Sequence, residues 1–351
     1  GFQMFSKNLK YYRLEKNFTK KQLAEECGLS VMAISNYESG KRHPDLPIIK
    51  KLAKALNVKV SDFLKVRNAG LVFEHGEIRR NSTLLQKDQD FIQESVEEYF
   101  SRFFDIVEIL GGDPFVPPPA CHQLELLPDD ESNALSLRKY LGFPLNGPVG
   151  NLIEAMENRG ILIYKIDLEN EKFSGMNGFV NNRPYIVLNR SMTDERNRSA
   201  MAHELVHLMF SWPGSSSDSK EDEQRASAIA EAFLISESDL KRKLGLKRKQ
   251  ITYDMALVCR EYGISMLLLA KRAALANIIS ENAAKSFYIQ ASKRGWKKRE
   301  PSRIAVPETP CLFKQLVYRA VMENEITIQK GAELLQIPYD EVYKECFQGE
   351  F

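Results

Sequence analysis

The stretch MAHELVHLMF, residues 201–210, places His203 and His207 four positions apart, with Glu204 directly after the first. On a helix, positions i and i+4 share one face, so both imidazoles can offer a ring nitrogen to one divalent cation. Glu204 then stands beside the first ligand, where a carboxylate can take a proton from an attacking water and return it to a leaving amine. Ala202, Leu205, Val206, Leu208 and Met209 are the apolar residues that would bury the rest of such a helix. The chemistry is metal-assisted hydrolysis of an amide bond. The competing reading is a packing helix whose histidines bond to backbone groups, because so short a motif also arises by chance.

A catalytic zinc needs a third protein ligand and one open position. Downstream, GSSSDSKEDEQRASAIAEAFLIS reads as a Ser-rich loop followed by a helix that starts near Asp218 or Ser219. On that helix Glu223, Ala226, Ser227 and Ala230 share a face, and the small residues would let it approach the first helix closely. Glu223 is the expected third ligand. Glu221 and Glu231 are the alternatives, and Glu221 shares a face with Gln224 and Arg225 that reads as solvated. Two histidines and a carboxylate suit Zn2+, and also Mn2+ or Fe2+.

The elements that must position these residues read as a mixed α+β domain. LRKYLGF and NLIEAMENRGILIYKID give helix, helix and strand. GFVNNRPYIVLNR gives two strands joined at Asn181-Asn182-Arg183, with Pro184 opening the second. The helix TDERNRSAMAHELVHLMF follows, with Thr193 as N-cap and Asp194 and Glu195 in its first turn. Tyr185 and Arg198 are candidates to stabilise an oxyanion, although a structural role is the plainer reading of each. YDMALVCREYGISMLLLAKRAALANII has a helix-turn-helix rhythm around Gly263.

Charge separates this body from what precedes it. Residues 1–67 carry 14 Lys+Arg against 6 Asp+Glu, a net of +8, whereas the remainder carries 35 against 41, a net of −6. A basic head on a mildly acidic body points to nucleic acid. The head reads as about five short helices. Thr19 caps KKQLAEEC, Gly28-Leu29-Ser30 turns the chain, VMAISNYES follows and Gly40 stops it, and LPIIKKLAKALNV has apolar residues at helical spacing. Two short helices joined by a Gly-containing turn form a helix-turn-helix. Ala24 would sit where they approach, Leu23 and Ile34 would face the core, and Gly28 would supply a positive φ.

Between head and body, LVFEHGEIRRNS could be a short extended piece. KDQDFIQESVEEYFSRFFDIVEILG is a periodic helix with Phe91, Val96, Tyr99, Phe100, Phe103, Ile106, Val107 and Leu110 on its apolar face, which would pack within the chain or form a dimer seam. DPFVPPPACHQ reads as a Pro-rich linker. After the body, SKRGWKKREPSR reads as a solvated basic linker, and ETPCLFKQLVYRAVMENEITIQKGAELLQIPYDEVYKECF as two or three helices with Thr327 as a cap.

With 351 residues, 43% of them hydrophobic and 27% charged, the chain has the make-up of a soluble globular protein of two or three domains. Gly1-Phe2-Gln3, ahead of Met4, reads as an addition outside the fold. No apolar run is long enough to span a bilayer, and the polar, amphipathic start is not a secretory signal. Five scattered cysteines without a CxxC pair argue against both a disulfide framework and a thiolate zinc site, and fit a reducing cytoplasm.

Two resemblances sharpen these expectations. FTKKQLAEECGLSVMAISNYESGKRHP resembles the Xre family, whose fold is lambda-repressor-like. The resemblance implies that Val31, Met32 and Asn36 face base edges in the major groove of a double-stranded operator, and that Lys20, Ser30, Lys41 and Arg42 meet phosphates. It also implies a homodimer reading two half-sites. From about Asn151 to Ser280 the chain resembles the ImmA/IrrE family of zinc metallopeptidases, through LIEAMENRGI, GFVNNRPYIVLNR, ERNRSAMAHELVHLMF, EQRASAIAEAFLIS and ALVCREYGISMLLLAKR. Carried over, the metal ligands are His203, His207 and Glu223, and Glu204 is catalytic. Three positions depart from that family's pattern. Val206 stands where Gly is frequent, Ser227 where Asn is frequent, and Ile235-Ser236 where Met-Pro is frequent.

The expected fold is mainly α with a small α+β domain. A five-helix head would span 1–67, a helical linker 68–120, a zincin-like HExxH domain with a small sheet 121–280, and a C-terminal helical region 281–351. The expected function is a cytoplasmic DNA-binding regulator with a zinc endopeptidase domain that cleaves a repressor, a partner or its own chain. The alternative is a non-enzymatic, antitoxin-like repressor that binds a toxin partner through the peptidase-fold body. A third reading is a transcription factor whose central domain senses a small molecule.

Overall fold

A computed structural model describes residues 2–65, 70–80, 83–112, 115–214, 220–296, 298–301 and 303–349. The chain opens with five helices, α1 (Phe2–Glu15), α2 (Lys20–Cys27), α3 (Val31–Ser39), α4 (Leu46–Leu56) and α5 (Val60–Phe63). Local chemistry sets their ends. Thr19 accepts a hydrogen bond from the Gln22 amide while the Gln22 side chain accepts one from the Thr19 amide, a closed capping box. Gly28 sits at φ +64°, where a side chain would be strained, and turns α2 into α3. Leu23, Ala24 and Ile34 are buried with Phe5, Leu9 and Phe63. A buried Arg13 donates to both carboxylate oxygens of Glu38, at 2.6 and 2.9 Å. Because α1 begins at Phe2, Phe2 and Gln3 belong to the first helix and do not stand outside the fold, while Gly1 lies outside the described residues.

Next come β1 (Phe73–Arg80), α6 (Gln86–Ile109), β2 (Leu124–Glu125), α7 (Asp130–Leu141), α8 (Leu152–Glu157), β3 (Leu162–Ile166), β4 (Phe173–Val180) and β5 (Arg183–Asn189). The helix with the two histidines is α9 (Asp194–Met209), followed by β6 (Phe210–Ser211), α10 (Lys220–Leu234), α11 (Glu237–Leu244), α12 (Ala256–Tyr262), α13 (Met266–Leu275) and α14 (Glu281–Lys293). The chain closes with α15 (Leu312–Met322), α16 (Ile328–Leu335) and α17 (Tyr339–Phe347). This is the mainly helical fold with a small mixed sheet that the sequence implies. No helix among the described residues is long and apolar enough to cross a membrane. The five cysteines form no disulfide.

Two compact units result. One gathers Gly1–Phe73, Asn81–Pro114 and Phe313–Phe351; the other gathers Glu74–Arg80 and Phe115–Leu312. The expected four-part division therefore changes. In the first unit α6 packs against α1, and the rings of Tyr99 and Phe103 of α6 meet Phe313 of α15 edge-on and tilted, with centroids 5.3 and 5.5 Å away. The buried face of α6 also differs from the periodic reading: Ile92 and Phe104 are inside, while Phe91 and Leu110 are half-exposed.

The second unit contains a four-stranded sheet in the order β1-β4-β5-β3. β4 and β5 form an antiparallel hairpin that pairs Val180 with Arg183, and the turn between them uses Asn181 and Asn182 at φ 49° and 65°. β3 runs parallel to β5. Ile186 and Leu188 on one face of β5 belong to the core that also holds Met201, Ala202, Leu205 and Met209 of α9. β2 and β6 make a two-residue parallel pair that starts where α9 ends. The Pro-rich stretch is no free linker: from Phe115 onward it belongs to this unit, with Arg183 donating to the Val116 carbonyl and the Tyr140 hydroxyl to the Ala120 carbonyl. Asp113 and Pro114 lie outside the described residues. The basic stretch is likewise anchored, because Trp296 stacks against Phe287 and the buried Glu300 accepts from the Met266 amide. Burial pushes the Glu300 carboxyl up to about 7.

Candidate metal centre

α9 is built to hold side chains still. Thr193 caps it by accepting from the Arg196 amide, and Ala202, Leu205, Val206 and Met209 are fully buried. His203 and His207 project from the remaining face. Their Nε2 atoms lie 3.1 Å apart. α10 packs against α9 along the buried Ala226 and Ala230, which brings Glu223 over both rings. Glu223 Oε2 is 2.9 Å from His203 Nε2, and Glu223 Oε1 is 2.9 Å from His207 Nε2. One ligand atom from each of the three residues thus falls within a single small triangle. Ligand atoms about 2.0–2.1 Å from one tetrahedral zinc are about 3.3 Å apart, so this donor set suits such an ion with small adjustment.

The alternative carboxylates are elsewhere. Glu221 is exposed, and Glu231 is engaged by Lys271 at 2.8 Å. The expected start of α10 at Asp218 or Ser219 lies outside the described residues.

Glu204 is buried beside the triad. Asn177 of β4 donates from Nδ2 to Glu204 Oε2 at 2.6 Å, and Gly175, two residues earlier, faces the same carboxylate. The sheet therefore aims Glu204, and sequence reasoning missed this. Its only trace in the sequence is one asparagine between glycine-bearing positions of an apolar strand. Ser227, the departure from the family's asparagine, lies one turn after Glu223 with its hydroxyl 3.2 Å from His203 Nδ1. Such contacts fix a ligand's ring orientation and tautomer. Trp212 lies against His207, with ring centroids 5.3 Å apart.

Neither candidate for an oxyanion stabiliser fits. Tyr185 pairs with Gly178, so it lies on the face of the sheet opposite Asn177 and Glu204, and it bonds His75 at 2.5 Å. Arg198 is turned inward, donating to the carbonyls of Gly150, Tyr262 and Gly263 and pairing with Glu308 at 2.7 Å.

In the head, Val31 and Met32 open α3 with exposed side chains, 44% and 73% accessible. Asn36 is half-buried one turn further along the same helix. Lys41 and Arg42 are exposed just after it, Lys20 is half-exposed at the start of α2, and Ser30 is exposed while its hydroxyl accepts from the Ala33 amide as the α3 cap.

Comparison with known proteins agrees with both modules. Residues 9–63 match the helix-turn-helix family, and residues 156–274 match the IrrE N-terminal-like domain of a peptidase family. The chain belongs to the helix-turn-helix regulators and carries an IrrE N-terminal-like domain. Among its relatives are the HTH-type transcriptional activator BcrR of Enterococcus faecalis, 38% identical over 17% of this chain, and the HTH-type transcriptional regulator YqaE of Bacillus subtilis, 34% identical over 20%. A third is the HTH-type transcriptional regulator MJ0272 of Methanocaldococcus jannaschii, 43% identical over 15%. These matches cover 29%, 61% and 82% of the relatives' own lengths, so the first two are spanned for less than two thirds.

Proposed function

We propose that this protein is a cytoplasmic, DNA-binding transcriptional regulator whose body is a zinc-dependent endopeptidase acting on a regulatory protein. The observation that carries the peptidase half is the convergence of His203, His207 and Glu223 beside a buried Glu204 that Asn177 holds in place. When bound, zinc supplies Lewis-acid polarisation of the scissile carbonyl. His203, His207 and Glu223 hold it, Ser227 orients the first ring, and Glu204 moves the proton from the attacking water to the leaving nitrogen. Mn2+ or Fe2+ would suit the same donors.

Metal content tests this reading. The full chain, purified without chelator or reloaded with zinc, is expected to hold about one ion per chain. His203→Ala should abolish that binding, and Glu223→Ala should weaken it far more than Glu221→Ala. No metal in the native chain under either condition would overturn the peptidase and favour the antitoxin-like repressor.

The head's role has its own test. Lys20, Lys41 and Arg42 at phosphates would make log K fall with log salt at a slope of about −3 per head, at about −0.9 for each phosphate neutralised. Lys41→Ala should flatten that slope by about one unit. Asn36→Ala should cost about 1–3 kcal/mol on the preferred sequence and nothing on others. A slope near zero would refute DNA binding by this face. A homodimer reading two half-sites is the expected form on the operator.

A further inference from the structure

β1 is the strand that the peptidase body borrows. It comes from the connector between α5 and α6, far ahead of the rest of the sheet in sequence. Yet it lies at the sheet edge, hydrogen-bonded to β4, the strand whose Gly175 and Asn177 face Glu204. From Phe73 to Ile78 none of its residues is buried, and none joins the core that unites β5 with α9. The core between β5 and α9 therefore contains no residue of β1.

Its local chemistry is that of a backbone laid along a prepared edge. A Cβ added at Gly76 would fall 2.6 Å from the Asn177 carbonyl oxygen and 2.9 Å from its Oδ1. Any side chain there would press on the residue that aims Glu204. One position along β4, the missing side chain of Gly178 leaves room for Tyr185 to cross the strand and bond His75 of β1. A free strand edge offers a row of N–H and C=O groups and takes up extended chains, with backbone bonds giving affinity and side-chain pockets giving selectivity. With β1 removed, β4 is such an edge, and it runs beside the metal centre.

We propose that β1 is an intramolecular occupant of a peptide-binding edge on β4. The site takes an extended polypeptide that adds as a strand, with glycine against Asn177, and FEHGEIRR holds that place in the resting chain. This deepens the peptidase reading, on which it rests for what becomes of a strand once bound. An incoming substrate must then displace β1. A tethered strand acts at an effective concentration in the millimolar range, so it should weaken an outside peptide about tenfold or more.

The test uses full-length chain treated with chelator and a fluorescein-labelled FEHGEIRR peptide. Three chains are compared: the native one, Gly76→Val, and one with residues 74–78 replaced by a Gly-Ser segment. Both altered chains are expected to bind the peptide about tenfold or more tightly than the native chain. The same peptide with Val in place of its glycine should bind none of them. Hydrogen exchange at β4 amides should rise in the Gly-Ser chain and fall again when peptide is added. Equal peptide affinity in all three chains, unchanged β4 protection in the Gly-Ser chain, or equal binding of the Val peptide would each overturn the proposal. Chelation separates this result from the peptidase reading, whose failure would show as no zinc uptake by the native chain.

Discussion

Glu204→Gln is expected to lower peptide hydrolysis by about 10²–10⁴-fold, the range in which positioned general bases contribute. Metal content should stay at the native level, because Glu204 is not among the three converging ligands. The replacement is close to isosteric, and its side-chain oxygen can still accept from Asn177, so the buried position stays filled. What is lost is the ability to take a proton. The measurement pairs hydrolysis of a quenched-fluorescent peptide library with metal analysis of the same preparation. Activity retained at the native level would remove Glu204 from the chemistry. Loss of activity together with loss of metal would mean that the residue supports the ligands and does not act on the proton. Asn177→Ala should fall between native and Glu204→Gln, since it leaves the carboxylate in place but releases its aim.

How far the sequence speaks for this site depends on the range of each interaction. Helix starts are local: Thr19, Ser30 and Thr193 each bond an amide three residues on, and each was readable from residue type alone. The approach of α10 to α9 was also readable, because Ala226 and Ala230 are small and recur at helical spacing with Glu223. By contrast, Asn177 reaches Glu204 from another element, and a single polar residue in a strand says nothing about its partner. β1 has no clean alternation and pairs with a strand far away in sequence, so only the fold shows where it goes. β2 and β6 are two residues each, too short for any period. α14 lies within the expected helical region, but its own bounds are faint in the sequence because two of its three buried residues are alanines, Ala284 and Ala291 around Phe287, which give a weak apolar signal. Tyr185 misled for a different reason. Strand periodicity says that a residue faces one side, but the pairing of Tyr185 with Gly178 is needed to say which.

Arg198→Ala is expected to destabilise the peptidase body by about 3–5 kcal/mol, the cost of leaving one partner of a buried ion pair uncompensated. The guanidinium is 5% exposed and Glu308 4% exposed, so neither is relieved by solvent. Glu308 would keep its bonds to the Leu152 and Ile153 amides at the start of α8 but lose its cation. The carbonyls of Gly150, Tyr262 and Gly263 would lose a donor at the same time. Both tryptophans of the chain, Trp212 and Trp296, lie in this body, so their fluorescence during urea unfolding reports on it and not on the head. A cycle with Glu308→Gln separates the pair from its surroundings: the double variant should lose less than the two single losses combined. Additive losses would show that the pair is not coupled and that Arg198 acts through the carbonyls alone. The metal connects this to function. Arg198 and His203 share α9, and Arg198 ties the first turns of that helix to three separate loops. If that tie sets the register of α9 against β4, Arg198→Ala should weaken zinc binding as well as folding. Glu221→Ala, an exposed change on α10, should do neither.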